Sequence, residues 1–202
     1  IAVATACAGI IVGVVTKTGL GLKMANSLVS IAESVATNAN VQLLLTLFFT
    51  MIASIILGMG APTTANYVIT STIAAPAIIL MGVPELSAHL FVFYFGIVAD
   101  ITPPVALAAF AASGISGGEP IRTGIQSSKL AIAVFIIPYI FVLSPEMLMI
   151  DTTIVGTIWV VFTSICGMIA IGAGMVGFWY RKVYWYERVI AIITGFLLIY
   201  PE

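Results

Sequence analysis

From Val41 to Leu57, and again from Thr152 to Tyr180, the chain runs without one charged side chain, and this decides the solvent it can fold in. A helix needs about 20 apolar residues to cross the hydrocarbon core of a bilayer. In lipid, backbone N–H and C=O groups must bond within a helix or around a closed barrel. The apolar runs are continuous and lack the two-residue alternation of barrel strands, so the expected fold is all-α, a polytopic integral membrane protein. Composition agrees: 61% of residues are hydrophobic, 7% are charged and the mean hydropathy is +1.21, against roughly 25% charged residues in soluble domains.

The charges fall between the apolar runs, and the net charge of -1 offers no basic surface for nucleic acid. Cys7 and Cys166 both lie in apolar runs without metal-ligand spacing and read as small buried residues. No basic segment or cleavage site precedes the first apolar stretch, so Ile1 is not expected to be a natural amino terminus, and the chain reads as part of a longer one.

Along the chain, Ile1 to Val15 is apolar but too short to span by itself, and it ends at Thr16-Lys17-Thr18-Gly19. Between Leu22 and Glu33, Lys23, Asn26, Ser30 and Glu33 interrupt apolar positions at helical spacing, which predicts an interfacial helix. Helices are expected over Val41 to Leu57 and Ala65 to Met81, meeting at Gly58-Met59-Gly60-Ala61-Pro62-Thr63-Thr64. This pair either spans twice or dips in and returns as a hairpin. After a turn at Gly82 to Glu85, a helix over Leu86 to Ala99 is interrupted by Asp100-Ile101-Thr102-Pro103-Pro104 and resumes over Val105 to Ala112. Proline donates no amide and disfavours helical angles in the residue before it, so this is a discontinuous helix.

Gly114 to Thr123 reads as an aqueous loop, Ser127 to Leu143 as a span, Ser144 to Glu146 as a turn, and Thr152 to Tyr180 as a long span. Val189 to Tyr200 opens one more helix. The glycines at 167, 172, 174 and 177 are read as close helix packing. Arg122 and Lys129 precede one span and Arg181, Lys182 and Arg188 follow the next, while Glu146 and Asp151 lie between, which places both basic segments in the cytoplasm. Tyr180, Tyr184, Trp185 and Tyr186 fit an aromatic belt there.

The two breaks carry the chemistry. Irregular backbone at membrane depth is tolerated where protein covers it or where it lines a cavity. Discontinuous helices of secondary transporters offer free carbonyls to cations and helix amino termini to anions. Gly58, Gly60 and Pro62 make the first break, Thr63, Thr64 and Asn66 add hydroxyls and an amide, and Thr102 does the same before Pro103-Pro104. The competing reading is a pair of proline kinks re-satisfied by neighbouring helices. Asp100 is the one carboxylate expected within the membrane, as a proton carrier or as a cap on the second half-helix. His89 is read as interfacial, and Glu33, Glu85, Glu119, Glu146 and Asp151 as solvated.

No zinc-protease HExxH, dinucleotide GxGxxG, nucleotide-binding P-loop or nucleophile elbow is present. An enzyme is therefore not expected, nor ATP hydrolysis by this chain, and no cofactor is called for.

Four segments, AGIIVGVVTKTGLGLK (Ala8 to Lys23), LGMGAPTTANYVI (Leu57 to Ile69), AHLFVFYFGIVADITPPVALAAFAASGI (Ala88 to Ile115) and FIIPYIFVLSPEML (Phe135 to Leu148), resemble the large membrane subunit of tripartite ATP-independent periplasmic (TRAP) transporters, in particular the fused permeases of the TAXI type. The resemblance covers about residues 1 to 148. It implies an elevator-type symporter of the inner membrane, built from inverted repeats and coupled to sodium. It further implies a periplasmic solute-binding protein that delivers organic acids, and a small membrane subunit or its fused equivalent.

On this resemblance, residues 1 to 148 form the second repeat, with a re-entrant hairpin at about 41 to 82, a broken helix at about 86 to 116 and a span at about 126 to 143. Residues 149 to 202 add transmembrane helices, and the first repeat with its half of the site lies elsewhere. Gly58, Gly60, Thr63, Thr64 and Thr102 would bind sodium, and Pro62, Asn66, Pro103 and Pro104 would border the substrate. An anion symporter of related hairpin fold without a binding protein, and a purely structural membrane subunit, are the alternative readings.

Overall fold

The computed structural model describes residues 2–150 and 152–199, so Asp151 and Tyr200 lie outside the described residues. The chain divides into two compact units, residues 1–108 and 109–202. Among the described residues four helical stretches are long and apolar enough to cross a membrane: Ala39–Gly58, Thr63–Leu80, Pro120–Leu143 and Ile154–Val176.

In the first unit, α1 (Ala2–Thr18) and α2 (Leu20–Val35) meet at Gly19, whose φ of 64° suits a residue without Cβ. Helix α2 has the amphipathic character expected of it. Gly21, Ala25 and Ala32 are buried, while Lys23, Asn26, Ser30 and Glu33 are exposed. Helix α3 (Ala39–Gly58) starts where the Asn38 side chain accepts the Asn40 amide at 3.0 Å. The stretch that follows is two helices, α4 (Thr63–Ile73) and α5 (Ala75–Leu80), rather than the single one expected from Ala65. The cause is Pro76, in the first turn of α5, which cannot donate to the Thr72 carbonyl four residues back. Gly21 of α2 packs against that carbonyl so closely that a Cβ there would lie 2.5 Å from the oxygen.

Helix α6 (Glu85–Val98) packs on α3, α4 and α5 with Phe91, Val92 and Phe95 buried, the two phenyl rings 4.8 Å apart edge to face. After a break, α7 (Leu107–Ser116) begins at the end of the first unit and continues into the second. The discontinuous helix is therefore present, but its second half starts two residues later than expected and runs to Ser116. The expected loop from Gly114 to Thr123 shrinks to 117–119. Gly117 at φ 72° ends α7, and Pro120, with no amide to satisfy, opens α8 (Pro120–Leu130).

In the second unit the expected span from Ser127 is likewise two helices, α8 and α9 (Ile132–Leu143), separated at Ala131. Helix α10 (Ile154–Val176) is N-capped by Thr153 and ends four residues before the expected Tyr180, because Gly177 takes φ 76°. Phe178–Trp179 (β1) then pairs antiparallel with Arg181–Lys182 (β2), and α11 (Trp185–Ile199) begins four residues before the expected Val189. Arg188 fastens this junction by donating from Nε to the Gly174 carbonyl at 2.7 Å and from Nη2 to the Met175 carbonyl at 2.9 Å. These are carbonyls at the end of α10, where a cation is favoured.

The glycines of α10 divide by role. A Cβ on Gly167 would lie 2.7 Å from the Gly195 carbonyl, and one on Gly174 would lie 2.8 Å from an Ile192 side-chain carbon, so these two bring α10 and α11 together. Gly172 faces open space, which corrects the packing role expected of it, while Gly177 is both a cap and a close neighbour of α11, since a Cβ there would lie 3.1 Å from the Arg188 guanidinium carbon. Alanine at Gly167 or at Gly195 is expected to cost about 1–3 kcal/mol through overpacking. Alanine at Gly172 should be neutral or stabilise by up to about 1 kcal/mol through helix propensity. Thermal unfolding of the three variants in detergent tests this ordering, and equal shifts for all three would refute it.

Candidate functional site

The first break follows from its residues. Helix α3 closes at Gly58, whose carbonyl still accepts the Ala61 amide at 3.4 Å. Gly60 then turns the chain at φ 73°, and Pro62 flanks α4 with no side chain able to cap it. The amides of Thr63, Thr64 and Ala65 therefore make no protein hydrogen bond among the described residues. This is an uncapped helix amino terminus, where the helix dipole favours negative charge.

At the second break a 3₁₀ turn over Ala99–Ile101 leads from α6 into extended backbone at Thr102, then into the cis Pro103–Pro104 peptide. The Ala99 carbonyl is taken by the Thr102 amide at 3.4 Å. Ala106 adopts φ 38° and its amide bonds the Thr102 carbonyl at 3.1 Å, which delays the restart of the helix to Leu107. The Thr102 hydroxyl donates to the Val98 carbonyl at 2.7 Å, which leaves its oxygen lone pairs free to accept or to ligate.

The two breaks meet in one cleft of about 510 Å³, lined by Gly60, Ala61, Pro62 and Thr63 from the first break and by Asp100, Leu107 and Ala108 from the second. Asp100 is half-buried, and its carboxylate forms no hydrogen bond or ion pair among the described residues. It does not cap α7. A single carboxylate, a hydroxyl and backbone carbonyls form a donor set suited to a hard cation. Among the described residues no three His, Cys, Asp or Glu side chains gather as a metal cluster.

Behind the cleft the Asn66 side chain packs between the helices that lead into the two breaks, with its Oδ1 buried and making no hydrogen bond among the described residues. It is 2% exposed, and its amide lies between the bare backbones of Gly58 on α3 and Gly96 on α6. A Cβ on Gly96 would stand 2.7 Å from Asn66 Oδ1, and one on Gly58 would stand 2.5 Å from the Gly96 carbonyl oxygen. Neither distance is open to a real side chain, so the contact requires glycine on both sides.

Of the expected site residues, the cleft brings together Gly60, Pro62, Thr63 and Asp100. Thr64, exposed, Thr102, Pro103 and Pro104 lie at the breaks but not in the cleft wall, and Gly58 and Asn66 are buried behind it. Sequence reasoning missed Gly96. Its signal was a glycine one helical turn before Asp100 in an otherwise bulky helix. It also missed the partner of His89, which is half-buried with Nδ1 3.1 Å from the Tyr67 hydroxyl.

A family model described as "Tripartite ATP-independent periplasmic transporter, DctM component" matches residues 1–155, and a domain of unknown function, DUF3394, matches residues 157–202. No curated protein and no solved structure matches the chain.

Proposed function

From the premise that this chain belongs to the DctM component family of tripartite ATP-independent periplasmic transporters, we propose that it is the membrane subunit of a sodium-coupled importer of small organic anions in the inner membrane. A periplasmic solute-binding protein delivers the anion, and a small membrane subunit or its fused equivalent completes the permease. Helices α3 to α5 act as a re-entrant hairpin whose tip, residues 58–62, moves with the broken helix in an elevator stroke.

The observation that carries this reading is that Asp100 shares one cleft with the uncapped amino end of α4. The helix end attracts a carboxylate and Asp100 repels it. At a separation of about 6 Å and an effective dielectric constant of about 20, the repulsion is roughly 3 kcal/mol. An anion therefore binds well only when a cation enters with it, and that is coupling in its simplest form.

The sodium ion takes oxygen from the Gly58 and Gly60 region and from Thr63, Thr64 and Thr102. Pro62, Pro103 and Pro104 border the solute, and Asn66 holds the frame from behind. Because Asp100 has no protein partner among the described residues, a proton is the second candidate for the coupling cation.

Uptake of carboxylates into proteoliposomes by the permease with its binding protein, under inward sodium or proton gradients, tests the assignment. Sodium should drive uptake, and alanine at Thr63, Thr64 or Thr102 should raise the sodium concentration required by about tenfold, the equivalent of 1.4 kcal/mol of lost ion binding. Uptake indifferent to sodium and to all three threonines overturns the assignment.

A further inference from the structure

In the second unit, a cleft of about 600 Å³ opens between α10, α11 and the β1–β2 hairpin. Ile169, Ala170, Ala173, Ala191 and Trp179 supply its apolar lining. The cleft exists because small side chains line it while the Gly174 contact holds α10 and α11 at backbone distance. Away from Arg181 and Glu187 its lining is apolar and offers water no side-chain partners, and a void there would forfeit dispersion contacts. An apolar chain suits that part of the cleft. A helix, about 10 Å across, would exhaust the volume in under two turns, so a thinner chain fits better.

The mouth of the cleft identifies the chain's polar end. Arg181 lines the cleft, paired at 2.6 Å with Glu187, which lines it too, yet remains 65% exposed; the next residue, Lys182, lies outside the lining, exposed and with no ion pair among the described residues. Residues 178–188 carry three cations, Arg181, Lys182 and Arg188, against one anion, Glu187, a net of two positive charges. Around them Trp179, Tyr180, Tyr184, Trp185 and Tyr186 are exposed, the residue types that mark headgroup depth. Basic residues at that depth attract anionic headgroups. We propose that the cleft binds an anionic phospholipid, with one acyl chain along Ala170, Ala173 and Trp179 and the phosphate on Arg181 and Lys182.

Cys166, which also lines the cleft, reports on its occupancy. In the purified permease with every other cysteine replaced by serine, N-ethylmaleimide labelling of Cys166 in detergent is expected to slow at least fivefold on adding phosphatidylglycerol, and less than twofold on adding phosphatidylcholine. Native mass spectrometry should show retained phosphatidylglycerol in the wild type. It should be lost in Ala173→Leu, which fills the groove, and reduced at least fivefold in Lys182→Gln, which leaves the Arg181–Glu187 pair intact. Equal protection by both lipids, or wild-type retention in both variants with wild-type melting, overturns the proposal. So does a cross-link from Cys166 to another protein segment, which would assign the groove to a helix.

Discussion

Replacing Gly96 with alanine is expected to cut solute uptake by more than tenfold and to lower the melting temperature of the permease. The added methyl would stand 2.7 Å from Asn66 Oδ1 and 3.0 Å from its Cγ, with Gly58 of α3 bounding the amide on its other side. Overpacking of a filled site costs about 1–3 kcal/mol. Here the strain falls on the contact that holds the residue 58–62 tip against the broken helix, so geometry at the cleft suffers along with stability. Gly58→Ala should be at least as damaging, because its Cβ would meet backbone, the Gly96 oxygen at 2.5 Å, rather than a side chain. The pairing is testable by a cycle: Asn66→Ala removes the atoms that the Gly96 methyl strikes, so the double variant should lose less than the sum of the two single changes. Strict additivity would place the Gly96 effect elsewhere.

Replacing Asp100 with asparagine should uncouple the anion from its cation. With the carboxylate gone, the roughly 3 kcal/mol repulsion that a bound anion meets at about 6 Å disappears. Anion affinity without sodium should rise on the order of a hundredfold, the factor that such an energy represents. Affinity with saturating sodium should change far less, since the cation already offsets that charge in the wild type. Uptake against a solute gradient should fall even as binding improves. An Asp100→Asn permease whose sodium requirement for binding equals that of the wild type would show that the carboxylate plays no part in coupling.

The membrane architecture was legible because it rests on features that neighbouring segments cannot change. An uncharged run such as Val41 to Leu57 has no alternative to burial in lipid or protein, and Pro103-Pro104 cannot donate to a helix whatever surrounds it. Where the reading erred, the local signal pointed two ways. Pro120 and Gly114 looked like loop residues, yet proline is welcome at the first position of a helix, and Gly114 is tolerated inside α7. Phe178 to Tyr180 looked like the end of a span until Gly177 at φ 76° turned the chain away.

The candidate site was half legible for a similar reason. The breaks announce themselves through proline and glycine, so Gly60, Pro62, Thr63 and Asp100 stand out in the sequence. Which residues support them depends on how three helices cross. Gly96 carries no composition signal beyond being small, and Asn66 has the same polar side chain whether it faces solute or is wedged between two backbones. Only the packing of α3, α4 and α6 distinguishes those cases.

The central claim is that anion and cation occupy the cleft together because neither binds well alone. Linkage makes this measurable: if sodium strengthens anion binding by a factor, the anion strengthens sodium binding by the same factor. The direct measurement is calorimetric titration of the detergent-solubilised permease with a panel of small mono- and dicarboxylates, at fixed pH, with sodium replaced stepwise by potassium. At least one carboxylate should bind at least tenfold more tightly in sodium, and Thr63→Ala should shrink that ratio. Carboxylate affinity that stays constant across the sodium series would contradict the account.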